Sequence, residues 1–378
     1  MIIKKPAMSD ETSTRTNCEG QGVLRSNDLL GRVSWDSRIG VLPWPKNQVR
    51  GKRVRLTHLD GKLPNLALMK LSAWFKNNGA EVFFSKFVSR ELFEGEYDLV
   101  LGSSIFAWSV NAREIFKQNF PSAVIGGTGA EDATSLEQYI GEDATECDYS
   151  IYPNFTPSLG FTQRGCRLKC SFCVVPKKEG RVKPMNTIAD IWRGEPHPKQ
   201  IILLDNDFFG QPDWRARTDE LQAGNFEVSL NQGINVRLIH AEGAAVLANL
   251  KYRDDQFKAK RIYTAWDNRK DEEIFLRGIN LMLDAGIRPQ NIMVYFLCGY
   301  WPGERWEDIF FRFEAMVKIG LLPYPMVYDN KNTMLKLFQC WVIQRAYQFI
   351  PWAEYGPGAQ TQTKACDAQT TLALANAP

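Results

Sequence analysis

The sequence predicts an α/β protein in two parts, a small open parallel sheet with covering helices followed by a partial parallel (β/α)6 barrel. Two series of strand-like runs, over residues 53–130 and 159–329, alternate with amphipathic stretches of helical period. A chain of 378 residues that is 44% hydrophobic can bury a large core divided between two domains.

Residues 1–50 mix Ser, Thr, Asn, Arg and Gly and end in "VLPWPKNQVRGK", which reads as an extended linker after a poorly structured extension. From Arg53 the pattern changes. "RVRLTHL" is strand-like, and "LPNLALMKLSAWFKNNG" repeats apolar residues at Leu68, Leu71 and Phe75, with Gly79 placed to stop a helix. "EVFFS", "YDLVLGSS", the helical "NAREIFKQNF" and "SAVIGGTGA" continue the alternation, so residues 51–150 read as a Rossmann-like domain. Ligands of such sheets sit at the carboxyl ends of strands. Those ends are residues 58–61, 102–104 and 126–129, whose Gly and Ser residues read equally well as tight turns.

Residues 151–330 supply six further strand candidates, "LGFTQ", "QIILLD", "FEVSLNQG", "RIYTAWD", "NIMVYFLCG" and "PYPMVYD", separated by helical segments such as "DEEIFLRGINLMLDAG" and "RWEDIFFRFEAMVKIG". The chemistry of a parallel barrel lies at its strand carboxyl ends. Within residues 331–353, "NTMLKLFQCWVIQRAYQFI" reads as one amphipathic helix, and residues 354–378 read as a disordered tail.

The net charge of +3 gives no basic field for nucleic acid and no acidic tail. No run of about 18 apolar residues could span a bilayer, and no signal-peptide core develops at the N-terminus. Cys18, Cys147, Cys298, Cys340 and Cys366 are scattered without a framework, so a reducing, cytoplasmic setting is expected. Cys298 could serve as a hydrogen-atom donor or cluster ligand or simply pack in a strand, whereas Cys340 and most aromatics read as core.

The remaining cysteines, Cys166, Cys170 and Cys173, fall within eight positions of "TQRGCRLKCSFCVVPKKEGR" and follow the first barrel strand. Structural zinc normally takes four protein ligands, and no second pair accompanies these three. Three thiolates suit a 4Fe-4S cluster whose fourth iron is left for an outside ligand. A metal-binding module without turnover, holding zinc or a passive cluster, is the plainer alternative.

The C-x3-C-x2-C spacing of "TQRGCRLKCSFC" resembles the radical S-adenosylmethionine superfamily, and "GYWPGERWED" resembles the turn after that family's fifth strand. The resemblance implies reductive cleavage of S-adenosylmethionine at a cluster held by Cys166, Cys170 and Cys173. It places Phe172 and the turn residues Gly299, Pro302, Gly303 and Glu304 near the adenine. It places Asp205, Asn206 and Asp207, which otherwise read as an Asx turn or cap, near the methionine amino group. Asn231 and Gln232 are then hydrogen-bonding groups, Arg237 a carboxylate partner or a surface charge, and Asp267 a ribose or substrate contact. A flavodoxin- or ferredoxin-type electron donor, or a reductase, is implied. The substrate could be a peptide, a nucleoside in RNA or a small metabolite.

The barrel resembles most the branch of methylthiotransferases and cobalamin-binding radical enzymes. The three extra N-terminal cysteines of the former are not present. "VIGGTG" gives the first domain a cobalamin-binding-like look, but "THLDG" carries His58 and Asp60 in the reverse of the family's order. Cobalamin-dependent methyl transfer therefore stands as an alternative.

Overall fold

The computed structural model describes residue 44 and residues 46–130, 136–141 and 145–355. All of these belong to one compact unit, Val41–Pro378. The architecture is mixed α/β with parallel sheets.

The first part comprises α1 (Lys46–Val49), β1 (Arg53–His58), α2 (Leu66–Asn77), β2 (Glu81–Ser85), β3 (Leu99–Ser103), α3 (Val110–Asn119), β4 (Val124–Gly126) and α4 (Leu136–Ile140). Its strands form a parallel sheet in the order β2-β1-β3-β4, with Val54 of central β1 opposite both Val82 and Leu99. Helix α2 starts where the Asn65 side chain accepts from Leu68 N, and its buried face carries Leu68, Leu71 and Phe75. It ends at Asn77, two residues before Gly79, whose φ of +81° lets Ala80 N return to Phe75 O.

The expected extended linker before β1 is corrected. Lys46–Val49 make a helical turn, and Trp44 is buried against the rings of Trp74, Phe75 and Tyr139. An indole with an apolar slot within reach gains more by filling it than by staying in solvent. Residues 1–43, which include most of the predicted extension, lie outside the described residues.

The second part runs β5 (Ser158–Gly160), β6 (Gln163–Arg164), α5 (Val175–Lys178), β7 (Lys183–Pro184), α6 (Ile188–Ile191), β8 (Gln200–Leu203), α7 (Trp214–Ala223) and β9 (Glu227–Leu230). It continues with α8 (Ala241–Asn249), β10 (Lys251–Tyr252), β11 (Ile262–Ala265), α9 (Glu272–Asp284), β12 (Ile292–Cys298), α10 (Trp306–Ile319), β13 (Leu322–Val327) and α11 (Thr333–Ile343). The six strands read from the sequence are β5, β8, β9, β11, β12 and β13. They lie in two parallel sheets, β10-β9-β8-β5 and β11-β12-β13. The seam between them is closed by Ile234 N donating to Tyr263 O (2.8 Å) and Thr264 Oγ1 to Ile234 O (2.9 Å). Alternate strand residues, among them Ile201, Leu203, Val228, Val294 and Phe296, join the helices in one core.

Strand β10 and the antiparallel β6–β7 pair are additions to the sequence reading, because two-residue bridges carry no periodic signal. The C-terminal helix is shorter than expected. It ends at Ile343, Arg345 turns left-handed (φ +57°), and the chain folds back so that Trp341 Nε1 donates to Ile350 O. Trp352 stacks into the same aromatic group and Tyr355 is buried, so the chain is packed past the expected start of the tail. Residues 356–378 lie outside the described residues. No helix among the described residues is long and apolar enough to cross a membrane.

Candidate metal centre

The three cysteines sit on the loop that the β6–β7 hairpin closes. Its neck is held by Cys166 N donating to Gly180 O and by Gly165, whose φ of +83° and lack of a Cβ let Arg181 O approach. Glu179 sits across the neck and accepts from Arg164 (3.0 Å), Gly165 N (2.9 Å) and Asn206 Nδ2 (3.0 Å). Arg167 forks onto Asp207 at 2.7 and 2.9 Å, and Arg167 N adds a third bond. Asp205 accepts from Thr162 N, Gln163 N and the Thr162 hydroxyl. The trio expected at the methionine amino group therefore anchors the cysteine loop to the end of β8.

Cys166, Cys170 and Cys173 are free thiols, each partly buried. Burial pushes Cys166 and Cys173 up from the usual thiol value, and the charges of neighbouring cysteines push in the same direction. Three thiolates that repel one another at one place are relieved by a cationic centre. Among the described residues no three His, Cys, Asp or Glu side chains converge on a single ion. One zinc would require every sulfur about 2.3 Å from the same point. A cluster takes one thiolate per iron and so does not require the three sulfurs to meet at one point.

A cavity of about 400 Å³ opens beside Cys170, with Phe172, Arg237, Asp267, Asp271 and Trp301 in its walls. The Phe172 ring meets Tyr300 and Trp301 edge to face at 5.5 and 6.2 Å, and Tyr300 donates its hydroxyl to Ser171. Arg237 pairs with Asp271 at 3.0 Å and reaches Cys170 Sγ at 3.6 Å. Burial pushes the Asp267 carboxyl up to about 6 against the pull of Arg237, and its Oδ1 accepts from Leu297 N.

Four sequence candidates, Cys170, Phe172, Arg237 and Asp267, thus meet in one cavity. Asp205, Asn206, Asp207, Asn231, Gln232, Gly299, Pro302, Gly303 and Glu304 are not among its lining residues. Asn231 and Gln232 bond to each other. Gly299 N donates to Glu304, which pairs at 2.5 Å with Arg312. Sequence reading missed Arg312, which is fully buried and donates to the carbonyls of Trp266, Asp267 and Leu297. Its signal was a cation in register with Ile309, Phe313 and Met316 on the apolar face of α10.

Comparison with known proteins adds little to this geometry. No protein-family description matches the sequence, and no curated protein matches it. The chain is similar to a solved structure described as apo, selenomethionine-labelled cobalamin-dependent S-adenosylmethionine radical enzyme OxsB. The TM-score is 0.48 at 13% identity, over 79% of this chain and 56% of that one.

At the end of β1, His58 Nδ1 meets the Tyr152 hydroxyl at 3.1 Å, while buried Nε2 has no hydrogen-bond partner among the described residues. Burial and Lys86 hold its pKa down at about 4, so the ring is neutral at pH 7. A Cβ at Gly127 or Gly129 would strike the carbonyls of Ser104 or Phe106, so these glycines serve close backbone packing. Cys298 is fully buried in the core, with its thiol directed to Phe296 O.

Proposed function

We propose that this chain is a radical S-adenosylmethionine enzyme in which Cys166, Cys170 and Cys173 hold a 4Fe-4S cluster. The observation that carries the reading is one cavity uniting a cluster cysteine with an aromatic wall, a paired guanidinium and a buried carboxylate. When bound, the cluster supplies the electron that cleaves the sulfonium to methionine and a 5'-deoxyadenosyl radical, which takes hydrogen from the substrate. Arg237 presents a planar fork for a carboxylate, Phe172 and Trp301 give the nucleoside apolar faces and exclude water, and Asp267 offers a hydrogen-bonding carboxyl.

The test is anaerobic reconstitution with iron and sulfide, then metal analysis and chromatography for 5'-deoxyadenosine after chemical reduction. Wild type should hold roughly four irons and release 5'-deoxyadenosine, and Cys170→Ala should fall to background. Zinc that iron cannot displace would instead leave the non-catalytic module. Cobalamin-dependent methyl transfer is the second reading, favoured by the neutral imidazole of His58 at a strand carboxyl end, whose buried Nε2 has no hydrogen-bond partner among the described residues. Cobalamin retained by wild type and lost in His58→Ala supports it.

A further inference from the structure

The three cysteine sulfurs are served by different donors. Leu168 N donates to Cys166 Sγ at 3.4 Å, and the backbone N–H of Val175 favours the Cys173 thiolate. Both donors belong to the cysteine loop itself. Cys170 Sγ is reached instead by Arg237 Nη2 at 3.6 Å, a charged donor 67 positions along the chain. Arg237 follows β9 in a 3-10 turn, Val236–Leu238, and its carbonyl accepts from Arg277 at 2.7 Å. Its Nη1 is pinned by Asp271 at 3.0 Å, where the chain enters α9, and the planar guanidinium then carries Nη2 to the sulfur. Cys170, Arg237 and Asp271 are all partly buried, so the charge acts on the sulfur with less screening than at an open surface.

We propose that Arg237 raises the reduction potential of the centre held by the three cysteines through its N–H to Cys170 Sγ, with Asp271 as the residue that positions it. The inference rests on the reading of Cys166, Cys170 and Cys173 as cluster ligands. It adds to the carboxylate role of Arg237, because further N–H groups of the guanidinium remain for that ligand. Reduction takes one electron from an external reductant, makes and breaks no bond, and adds negative charge that is shared with the sulfur ligands. A cationic donor at one of those sulfurs stabilises the reduced state more than the oxidised one, which moves the potential up. The neutral backbone donors at Cys166 and Cys173 act in the same sense but more weakly.

The test is a redox titration of the full reconstituted chain, followed by the electron paramagnetic resonance of the reduced cluster. S-adenosylmethionine is left out, so that carboxylate binding does not enter. Arg237→Gln should lower the midpoint enough to cut the ratio of reduced to oxidised cluster at least about tenfold at a fixed potential, which is about 59 mV for one electron. Lys270→Gln removes a cation from the wall of the same cavity that makes no bond to sulfur among the described residues, and it should shift the midpoint much less. Asp271→Ala and Asp271→Asn delete the same charge, but only Asn keeps an acceptor for the guanidinium, so the midpoint of Asp271→Ala should fall below that of Asp271→Asn. If Arg237→Gln holds less iron than wild type, Arg237→Lys, which keeps the charge without the planar fork, decides instead: its midpoint should lie below wild type, and a wild-type value overturns the bond to Cys170. A midpoint for Arg237→Gln that equals wild type, or that Lys270→Gln matches, overturns the tuning and leaves the cluster reading standing. Equal midpoints in the two Asp271 variants remove Asp271 as the positioning residue. A wild-type chain that takes up no iron overturns the cluster reading and this inference with it.

Discussion

At Asp205, burial and hydrogen bonding pull in opposite directions. Two backbone N–H groups and a hydroxyl favour the carboxylate, yet removal from water outweighs them and pushes the carboxyl up to about 7. The folded state therefore binds more protons than the unfolded one between about pH 4 and pH 7, so stability falls as pH rises through that window. The urea midpoint of wild type should decline from pH 5 to pH 8. Asp205→Asn keeps the shape without the charge and should flatten part of that decline, with Asp267 supplying the rest. An unchanged slope would remove Asp205 as its source. From sequence, Asp205, Asn206 and Asp207 were visible only as polar residues at a strand end. That they face Thr162, Glu179 and Arg167 depends on contacts about 30 to 40 residues apart in the chain.

At the level of elements, the β6–β7 hairpin matters more than its length suggests. Its pairs, Gln163 with Pro184 and Arg164 with Lys183, close the ring on which all three cysteines ride. Gly165 permits the closure, since any Cβ there would collide with Arg181 O at a φ that side chains resist. Gly165→Ala should cost about 1–3 kcal/mol and lower iron retention after gel filtration more than it lowers overall helix content. Iron retained at the wild-type level would show that the neck can open without harm. The cysteine spacing was legible because it is local. The hairpin was not, because two residues per strand give no alternation to read.

Across the molecule, Arg312 is the tie between the strand ends. From α10 it reaches the carbonyls that end β11 and β12, and it pairs with Glu304 in the turn that packs near the cysteine loop. The pair is almost wholly out of water, so removing the cation leaves the Glu304 carboxylate with Gly299 N but no counter-charge and takes a donor from three carbonyls, of which Asp267 O keeps the Trp301 indole. Arg312→Leu should lose about 3 kcal/mol or more in urea unfolding at pH 7, and Arg312→Lys should lose less. A loss below about 1 kcal/mol would mean that water or Glu304 rearrangement replaces the tie.

The sequence by itself determined the α/β alternation, the ten longer parallel strands of the two parts and the three-cysteine loop after β5. These follow from period, turn residues and spacing, which are properties of neighbours along the chain. The tertiary structure decided which polar residues hold that loop and which face its cavity, that Trp44 packs into the core, and that Arg312 ties the ends of β11 and β12 to Glu304. Each of these depends on what an element buries against, and burial decides whether a charge finds a partner, shifts its titration or stays available to another molecule.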